Sequence, residues 1–300
     1  MPQPVGRRRF VGAFATAAFA TFDTLPLKAQ MKAGGPVQPR PAAQQLPTAR
    51  IGKLEISRLI CGGNLFSGFA HSGDLLYVSS LLNHYFTEFK ILDTLQLCEE
   101  SSINTAILRT DDHIIGVLKR YRKERGGRIQ WIAQTYPTIA NPKDNIRMAI
   151  DNGAVGAFVM GGNAEAIVKQ GKPELLGEVV SFIKQNGLAA GIGSHALEIP
   201  ILAEQQKFAP DFYFKTHNSV GYNSQDPRDV AALMRTIQTP WIAFKVLGAG
   251  RMQPKDGFDL AFQNGADFIN VGMYDFQVTE NIELARQAVE KHRQRDRRWA

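Results

Sequence analysis

The chain has 300 residues, of which 44% are hydrophobic and 21% are charged, which excludes collagen-like, coiled-coil and wholly disordered proteins. Two cysteines are too few for a disulfide-stabilised scaffold. The net charge of +7 is typical of nucleic-acid-binding proteins, but it is confined to the ends of the chain. Residues 1–29 carry a net +3, residues 291–300 carry a net +4, and residues 30–290 are neutral, so we expect no nucleic-acid partner.

The first 29 residues have the pattern of an export signal. Three arginines, beginning at Arg7, precede roughly 13 mostly apolar residues, a stretch too short for a stable membrane span. The run from Arg7 to Val11 resembles the twin-arginine (Tat) motif, and an ordinary Sec signal with a chance arginine pair is the alternative. We therefore expect a periplasmic or secreted protein that uses the Tat export machinery and keeps no transmembrane segment once the signal is removed.

Residues 30–50, rich in Pro, Gly, Gln and Ala, predict a flexible linker. Beyond them, short apolar runs alternate with segments of helical periodicity. The predicted strands cover residues 58–64, 103–109, 129–135, 154–162, 188–195, 212–217, 241–247 and 268–273. The predicted helices cover residues 75–86, 114–125, 145–152, 173–185, 199–208, 227–237 and 258–264, with a further helix from residue 88. Eight strand–helix units within residues 51–290 predict a (β/α)8 TIM barrel, with an open doubly wound sheet as the alternative.

Active sites of TIM barrels lie where the strands end, at the carboxyl face. Many polar residues of this chain fall at such positions. Those selected as catalytic candidates are Arg109, Gln134, His195, Lys215, His217 and Lys245.

Several strand-end segments, taken in order, resemble the aldo/keto reductase family. The similar segments are 54–63, the Asn-Thr-Ala turn at 104–106, the Gly-Ile-Gly-Ser-His run at 191–195, residues 243–250, and Gly272 with the Glu-Asn pair at 280–281. The resemblance covers about residues 51–290 and implies a TIM barrel that transfers hydride between NADP(H) and a carbonyl group. It also implies a set of cofactor-binding residues, namely Gly248, Gly250, Gly272, Glu280 and Asn281.

The same resemblance implies a catalytic tetrad of Asp, Tyr, Lys and His, and this chain departs from it throughout. In that order, the matching residues are Asn104, Arg109, either Gln134 or Thr135, and either Met160 or Gly161. Because Arg109 keeps its proton at any useful pH, it is a poor general acid but a good clamp for an anion or a carbonyl oxygen. Asp275 lies where a cofactor phosphate is expected and would repel it.

Two other chemistries are open to these candidates. Lys215 and Lys245 are expected to face the barrel lumen, where a desolvated lysine has a lowered pKa and can form a Schiff base, with His217 as the proton shuttle. A divalent metal ion is the other alternative, with the imidazole and carboxylate ligands that zinc and manganese accept. Its predicted ligands are Asp112, His113, His195 and His217.

The sequence thus supports three functions. The leading one is an exported enzyme acting on a small polar carbonyl or sugar-type substrate, in which Arg109 and Gln134 bind substrate oxygens while His195, His217 and a lysine move protons. The second is an NADP(H)-dependent oxidoreductase with a rearranged active site. The third, from a different class, is a catalytically silent extracytoplasmic ligand-binding barrel.

Three further features each have two readings. The insertion after the first barrel strand, residues 65–86, predicts either a lid or a local packing element. Cys61 and Cys98 are either a disulfide or two buried thiols. The basic tail at 291–300 is either a solvated helix end or a weak anchor to anionic lipid.

Overall fold

The computed structural model describes residues 45–69 and 75–300, so the predicted signal at 1–29 and most of the predicted linker at 30–50 lie outside the described residues. The strands are β1 (Thr48–Ile51), β2 (Leu54–Ser57), β3 (Leu59–Gly62), β4 (Thr105–Arg109), β5 (Gln130–Thr135), β6 (Gly156–Val159), β7 (Ala189–Ser194), β8 (Phe212–Thr216), β9 (Trp241–Phe244) and β10 (Phe268–Gly272). The helices are α1 (Tyr77–Tyr85), α2 (Glu88–Glu100), α3 (Asp112–Arg125), α4 (Asp144–Asp151), α5 (Gly161–Lys169), α6 (Glu174–Gln185), α7 (Glu198–Gln205), α8 (Pro227–Thr236), α9 (Pro254–Gln263) and α10 (Asp275–Lys291).

Strands β3 to β10 form a closed barrel of eight parallel strands, in the order β10-β3-β4-β5-β6-β7-β8-β9. The ring closes because β10 pairs with β3, with Asn270 opposite Ile60. This confirms the predicted (β/α)8 TIM barrel and excludes the open doubly wound sheet. The strands are buried on both faces, as expected when helices cover a parallel sheet.

Alternation along the strands divides the core into two layers. Side chains that fill the lumen form one cluster, and those that pack against the helices form another. The lumen cluster contains Ile60, Ile107, Ile132, Phe158, Phe212, Phe214, Ile242 and Phe268. Because successive side chains of a strand point to opposite faces, membership of these clusters shows which strand-end residues face the mouth of the barrel.

An antiparallel hairpin closes the amino end of the barrel. Strands β1 and β2 pair with Ile51 opposite Leu54, and Ala49, Ile51 and Ile56 join the lumen cluster. The first strand begins at Thr48, so the last residues of the predicted linker 30–50 belong to this hairpin.

The predicted helices are present, and local signals delimit several of them. Asp111 caps α3, since its Oδ1 accepts a hydrogen bond from the main-chain N–H of Ile114 at 2.9 Å. The same helix ends at Gly126, whose φ of +63° suits a glycine C-cap. One helix was not predicted: α5 begins at Gly161, inside the segment assigned to the strand 154–162. Among the described residues, no helix is long and apolar enough to cross a membrane.

The insertion after β3 contributes its own small core. Phe66 and Phe86 are buried with their ring centroids 5.2 Å apart, and Phe86 stacks on Tyr274 at 5.3 Å. This agrees with the local packing element, whereas Phe69 and Tyr77 stay exposed.

The two cysteines are buried free thiols. Cys61 lies on β3 and Cys98 on α2, and the Cys98 side chain is hydrogen-bonded to Cys61. That hydrogen bond and burial raise the pKa of the Cys98 thiol well above its usual value.

Two arginines of the basic tail pack under the amino end of the barrel, a role that neither reading from sequence includes. Arg295 and Arg297 form ion pairs with Asp267, at 3.0 and 2.6 Å, and the Asp267 side chain is fully buried. The guanidinium of Arg295 stacks on the ring of Trp299, 3.4 Å from its centroid. Arg297 also donates hydrogen bonds to main-chain oxygens at the end of α8 and beyond it. These arginines are therefore structural, and neither a solvated helix end nor a lipid anchor describes them.

Candidate active site at the carboxyl end of the barrel

Three of the six catalytic candidates face the mouth of the barrel. Arg109 and Gln134 end neighbouring strands in register with each other, and they share the faces of Ile107 and Ile132 in the lumen cluster. His195 follows β7, and its ring lies 5.6 Å from that of Phe244, which packs against the same cluster. In the ring of eight strands, β7 is three strands from β4 and two from β5, so these side chains border the same mouth.

The guanidinium of Arg109 is held between two aromatic rings and a carboxylate. Its Cζ atom lies 4.3 Å from the ring centroid of Phe69 and 4.8 Å from that of Tyr136. Its Nε atom donates to Asp111 Oδ2 at 3.1 Å. The contacts orient a side chain that would otherwise be free to rotate, because cation–π attraction and a charged hydrogen bond act together.

Tyr136 lies beside Gln134, one residue after the end of β5. The amide nitrogen of Gln134 donates a hydrogen bond of 2.7 Å to the hydroxyl oxygen of Tyr136. Burial raises the pKa of Tyr136, although the charge of Arg109 and the hydrogen bond from Gln134 oppose the shift. The phenol therefore stays protonated at neutral pH and can donate a hydrogen bond.

His195 is held by Glu165, which extends from α5. The carboxylate of Glu165 accepts hydrogen bonds from the main-chain N–H of His195 at 2.6 Å and of Ala196 at 3.0 Å. It also lies 3.3 Å from the ring atom Nδ1 of His195. The approach is close, because a Cβ on Gly161, the first residue of α5, would lie 3.1 Å from that same Nδ1.

The charge of Glu165 is stabilised by these contacts. Burial alone would raise its pKa, but the hydrogen bonds from the side chain of His195 and from the two main-chain amides lower it to about 2. An ionised carboxylate on Nδ1 favours the imidazole tautomer with its proton on Nδ1, which leaves Nε2 to accept a proton. No described residue hydrogen-bonds to that Nε2.

Lys215 lies in the wall of the barrel, so the expectation that it faces the lumen is wrong. It shares the helix-facing side of β8 with Tyr213, which belongs to the outer cluster. Its Nζ donates to the main-chain oxygen of His195 at 2.6 Å, to Gln225 Oε1 at 3.0 Å and to Thr216 Oγ1 at 3.1 Å. Burial lowers the pKa of Lys215 to about 8, opposed by the charges of Glu165 and Glu198.

His217 also lies on the helix-facing side, away from the mouth. Its Nε2 is 3.0 Å from Asn264 Nδ2, and its ring meets the edge of Trp241 at 5.4 Å. Burial, together with the nearby charge of Lys215, lowers the pKa of His217 to about 4. A neutral, enclosed imidazole in this position cannot exchange protons with a substrate at the mouth. His217 is therefore too far from the candidate site to act as the predicted proton shuttle.

Lys245 follows β9 with a φ of +56°, a left-handed conformation that costs free energy in a residue with a Cβ. Its Nζ lies 5.1 Å from the ring centroid of Tyr222. Burial lowers its pKa, opposed by the charge of Glu165. Within the described part of the chain, no acceptor bonds to this Nζ, so Lys245 rather than Lys215 has the more available amine.

The predicted metal ligands do not converge. His195 binds Glu165, His217 contacts Asn264, and His113 Nε2 lies 3.2 Å from the main-chain oxygen of Phe66. Within residues 45–69 and 75–300, no three His, Cys, Asp or Glu side chains form a group that could hold a metal ion. Asp112 and His113 lie at the start of α3, whereas His195 and His217 follow β7 and β8 and have different partners.

Asn104 lies at the opposite end of the barrel from Arg109. It precedes β4, and its Oδ1 accepts a hydrogen bond from the main-chain N–H of Ser57 in the hairpin at 2.9 Å. The two residues are separated by the whole length of the strand, at about 3.3 Å per residue. Asn104 therefore lies at the wrong end of the barrel to correspond to a catalytic aspartate of the reductase family.

The residues expected to bind NADP(H) lie at the carboxyl ends of the neighbouring strands β9 and β10 and in α10. Gly248 and Gly250 lie in a turn after β9 with φ values of +53° and +81°, and Gly272 ends β10. In α10, Glu280 is exposed while the neighbouring Asn281 is buried, so they do not share a face.

The amino end of α10 does not fit a cofactor phosphate. TIM barrels often bind phosphate near this position. Here the carboxylate of Asp275 occupies it and pairs with Lys90 Nζ at 2.9 Å and with the hydroxyl of Tyr85. The helix end is thus already neutralised by a carboxylate, which would repel a phosphate.

Glu165 and Tyr136 are the two site residues that the sequence analysis missed. Glu165 lies in a helix that was not predicted, although Ala164, Ile167 and Val168 have helical spacing. Tyr136 lies one residue beyond the predicted strand 129–135. Because it is two residues after Gln134, its side chain is expected on the same face of that strand, and this spacing is the signal that predicts it as a site residue.

No protein-family model and no curated protein matches this chain. Its structure is similar to that of a proposed aldo-keto reductase from Pseudomonas aeruginosa, with a TM-score of 0.60 and 17% identity over 87% of this chain and 99% of the other. A mutant of Gox0644 in complex with NADPH matches with a TM-score of 0.55 and 9% identity, over 85% and 96% of the two chains. The BexX/CysO complex of Amycolatopsis orientalis provides a match with a TM-score of 0.54 and 13% identity, over 83% and 96%. At such identities the similarity concerns the fold: this chain is a (β/α)8 TIM barrel with aldo/keto reductase-like structural neighbours.

Proposed function

We propose that this protein is an exported enzyme that moves a proton next to the carbonyl group of a small polar substrate. The observation that carries this is the contact between Glu165 and His195 at the mouth of the barrel. A carboxylate that holds one nitrogen of an imidazole leaves the other nitrogen free to accept a proton as a general base.

Arg109 at the end of β4 and Tyr136 just after β5 supply hydrogen-bond donors for substrate oxygens at the mouth that His195 also borders. His195 Nε2 takes a proton from the carbon beside the carbonyl, and the C–H electron pair moves to the carbonyl oxygen. Donors placed around that oxygen stabilise its developing negative charge. Return of a proton to the same carbon restores the carbonyl compound and exchanges that hydrogen with solvent, and the stacked rings of Phe214 and Phe244 form an apolar wall beside His195.

The test is exchange of substrate hydrogen with solvent deuterium, followed by NMR for a panel of small hydroxyketones and keto sugars. His195→Asn is expected to abolish exchange, and His84→Asn, on the exposed face of α1, serves as the matched control. Exchange at the wild-type rate in the His195→Asn variant would contradict the proposal.

A second candidate is an NADP(H)-dependent reductase with a rearranged site. In its favour, Lys245 and Arg251 both lie 5.1 Å from the ring centroid of Tyr222, beside the turn that contains Gly248 and Gly250. Two cations next to an open glycine turn can bind an anionic group, but the α10 end does not fit one. Purified protein is tested for the absorbance of a reduced nicotinamide and for thermal stabilisation by NADPH, and absence of both excludes this candidate.

Export is the further part of the proposal, and it rests on the arginine pair and apolar stretch of residues 7–20. The variant Arg7→Lys with Arg8→Lys is expected to remain in the cytoplasm, as judged by fractionation. Continued export of that variant would indicate a Sec signal instead.

A further inference from the structure

Arg109 presents a fixed pair of donors to the mouth of the barrel. Aromatic rings lie over its guanidinium at 4.3 and 4.8 Å, and its Nε is bonded to Asp111. Asp111 is itself fixed, because its other oxygen caps α3 through the N–H of Ile114. Every part of this side chain except its outer edge is therefore engaged.

The outer edge carries the two terminal nitrogens. In residues 45–69 and 75–300, neither of them donates a hydrogen bond to another residue, and a quarter of the side chain is exposed. Their four N–H groups form a planar fork whose spacing matches the two oxygens of a carboxylate. A fork that is partly buried and has no acceptor among the described residues is expected to bind a ligand.

A third donor lies on the same side. The hydroxyl oxygen of Tyr136 accepts from Gln134, so the hydroxyl hydrogen is available to another acceptor. Among the described residues, none accepts it. The ring of Tyr136 lies against the guanidinium of Arg109, so the phenolic hydrogen and the arginine fork can reach adjacent oxygens of one ligand.

The charges around the fork decide between anions. Arg109 is paired with Asp111, and Glu165 contributes a second carboxylate at the same mouth. Both carboxylates repel a phosphate dianion about twice as strongly as a ligand with a single negative charge. A planar carboxylate therefore suits the shape of the fork and is repelled less than a phosphate by the surrounding charges.

We propose that Arg109 binds the carboxylate of a small 2-oxo acid, whose oxo group lies at Tyr136 and whose C3 hydrogen faces His195. This identifies the substrate class within the proposed function, on which it rests. His195 Nε2 accepts the proton from C3, the C–H electron pair becomes the C2–C3 double bond, and the C2–O π pair moves to the oxygen. The Tyr136 O–H donates a hydrogen bond to the resulting enolate oxygen.

Binding and turnover are measured separately. Calorimetry with 2-oxobutanoate, its neutral amide and inorganic phosphate is performed on the wild type, Arg109→Lys, Arg109→Met, Tyr136→Phe and His195→Asn. Arg147→Met is the matched control, since Arg147 also pairs with an aspartate and lies over an aromatic ring, but on the exposed outer face of α4.

We expect 2-oxobutanoate to bind the wild type and Arg147→Met equally. Its affinity should fall about 10-fold in Arg109→Lys, which keeps the charge without the fork, and about 50-fold in Arg109→Met. The amide should bind no better to the wild type than to Arg109→Met. Equal binding of the acid and the amide, unchanged affinity in Arg109→Lys, or tighter binding of phosphate would each overturn the inference.

The two proposals fail in different ways. If His195→Asn binds 2-oxobutanoate normally but exchanges no C3 hydrogen for deuterium, both stand. Arginine-dependent binding without any exchange in the wild type keeps the carboxylate site and removes the proposed reaction. Exchange on neutral ketones without binding of 2-oxobutanoate keeps the reaction and removes the carboxylate site.

Discussion

The Nζ atom of Lys215 donates a hydrogen bond of 2.6 Å to the main-chain oxygen of His195. Glu165 binds the main-chain nitrogen and the ring of the same histidine. A buried ammonium on one side and a carboxylate on the other thus fix the backbone on which the candidate base is carried. Lys215 acts through His195 and is a positioning residue.

The buried ammonium makes stability depend on pH. Since the folded-state pKa of Lys215 is about 8 and its usual value is 10.5, the unfolded chain binds the proton more tightly between these values. The contribution of Lys215 to the free energy of unfolding therefore increases as the pH rises, by about 1.5 kcal/mol from pH 8 to pH 9.5.

The measurement is urea unfolding at both pH values. The Lys215→Met variant is expected to lack this increase, and Lys255→Met, at an exposed position on α9, is expected to retain it. An identical pH dependence in Lys215→Met and the wild type would contradict the assignment.

Glu165 has a linkage of the same sign in a lower pH range, because its folded-state pKa is also lowered. Its pKa is lowered to about 2 from a usual value of 4.5, so its stabilising effect is fully present above pH 4.5 and is lost as the pH falls through 2. Because the carboxylate is about a third exposed, we expect Glu165→Gln to lower the free energy of unfolding at pH 6 by about 1–2 kcal/mol. The difference from the wild type should shrink towards pH 2.5. Glu178→Gln, on the exposed face of α6, is the control and should be neutral at both pH values.

The ion pair of Arg297 with Asp267 joins the tail to the amino end of the barrel. Arg297→Ala leaves a fully buried carboxylate with one fewer partner and removes hydrogen bonds to main-chain oxygens. We expect a loss of about 3 kcal/mol in the free energy of unfolding, measured by chemical denaturation. Arg298→Ala, one residue away and exposed, should change it by less than about 0.5 kcal/mol. Comparable losses in both variants would show that the tail is not anchored by this pair.

Two helical glycines provide a matched pair. A Cβ on Gly116 in α3 meets nothing within 4 Å, whereas a Cβ on Gly257 in α9 would lie 2.5 Å from the main-chain oxygen of Val246. Gly116→Ala should raise the free energy of unfolding by about 0.5–1 kcal/mol, because alanine loses less backbone entropy. Gly257→Ala should lower it by about 1–3 kcal/mol, because α9 must move from the turn after β9. Thermal melts of the two variants should shift in opposite directions.

The barrel follows from local patterns. Short strands that are apolar on both faces, alternating with helices of regular period, are the requirements for a closed parallel sheet, and all eight strands formed where expected. The exception is α5, where Gly161 and Gly162 weaken the helical pattern.

Part of the site could also be predicted. Arg109, Gln134 and His195 were identified because each ends a strand, and strand ends converge at one face of a TIM barrel. Their partners Glu165 and Tyr136 were not identified. Glu165 is brought to His195 from another unit of the barrel, a contact that no local sequence pattern records.

The sequence by itself determined the kind of fold, because burial on both faces and the period of each segment are local properties. Only the tertiary structure decided which face of each strand looks into the lumen. A strand buried on both sides has no polar–apolar alternation to reveal its inner face, so Lys215 and His217 were expected at the mouth but lie in the wall. The tertiary structure also decided where the basic tail packs, since Asp267 and Arg297 meet only when the last helix returns the chain to the amino end of the barrel.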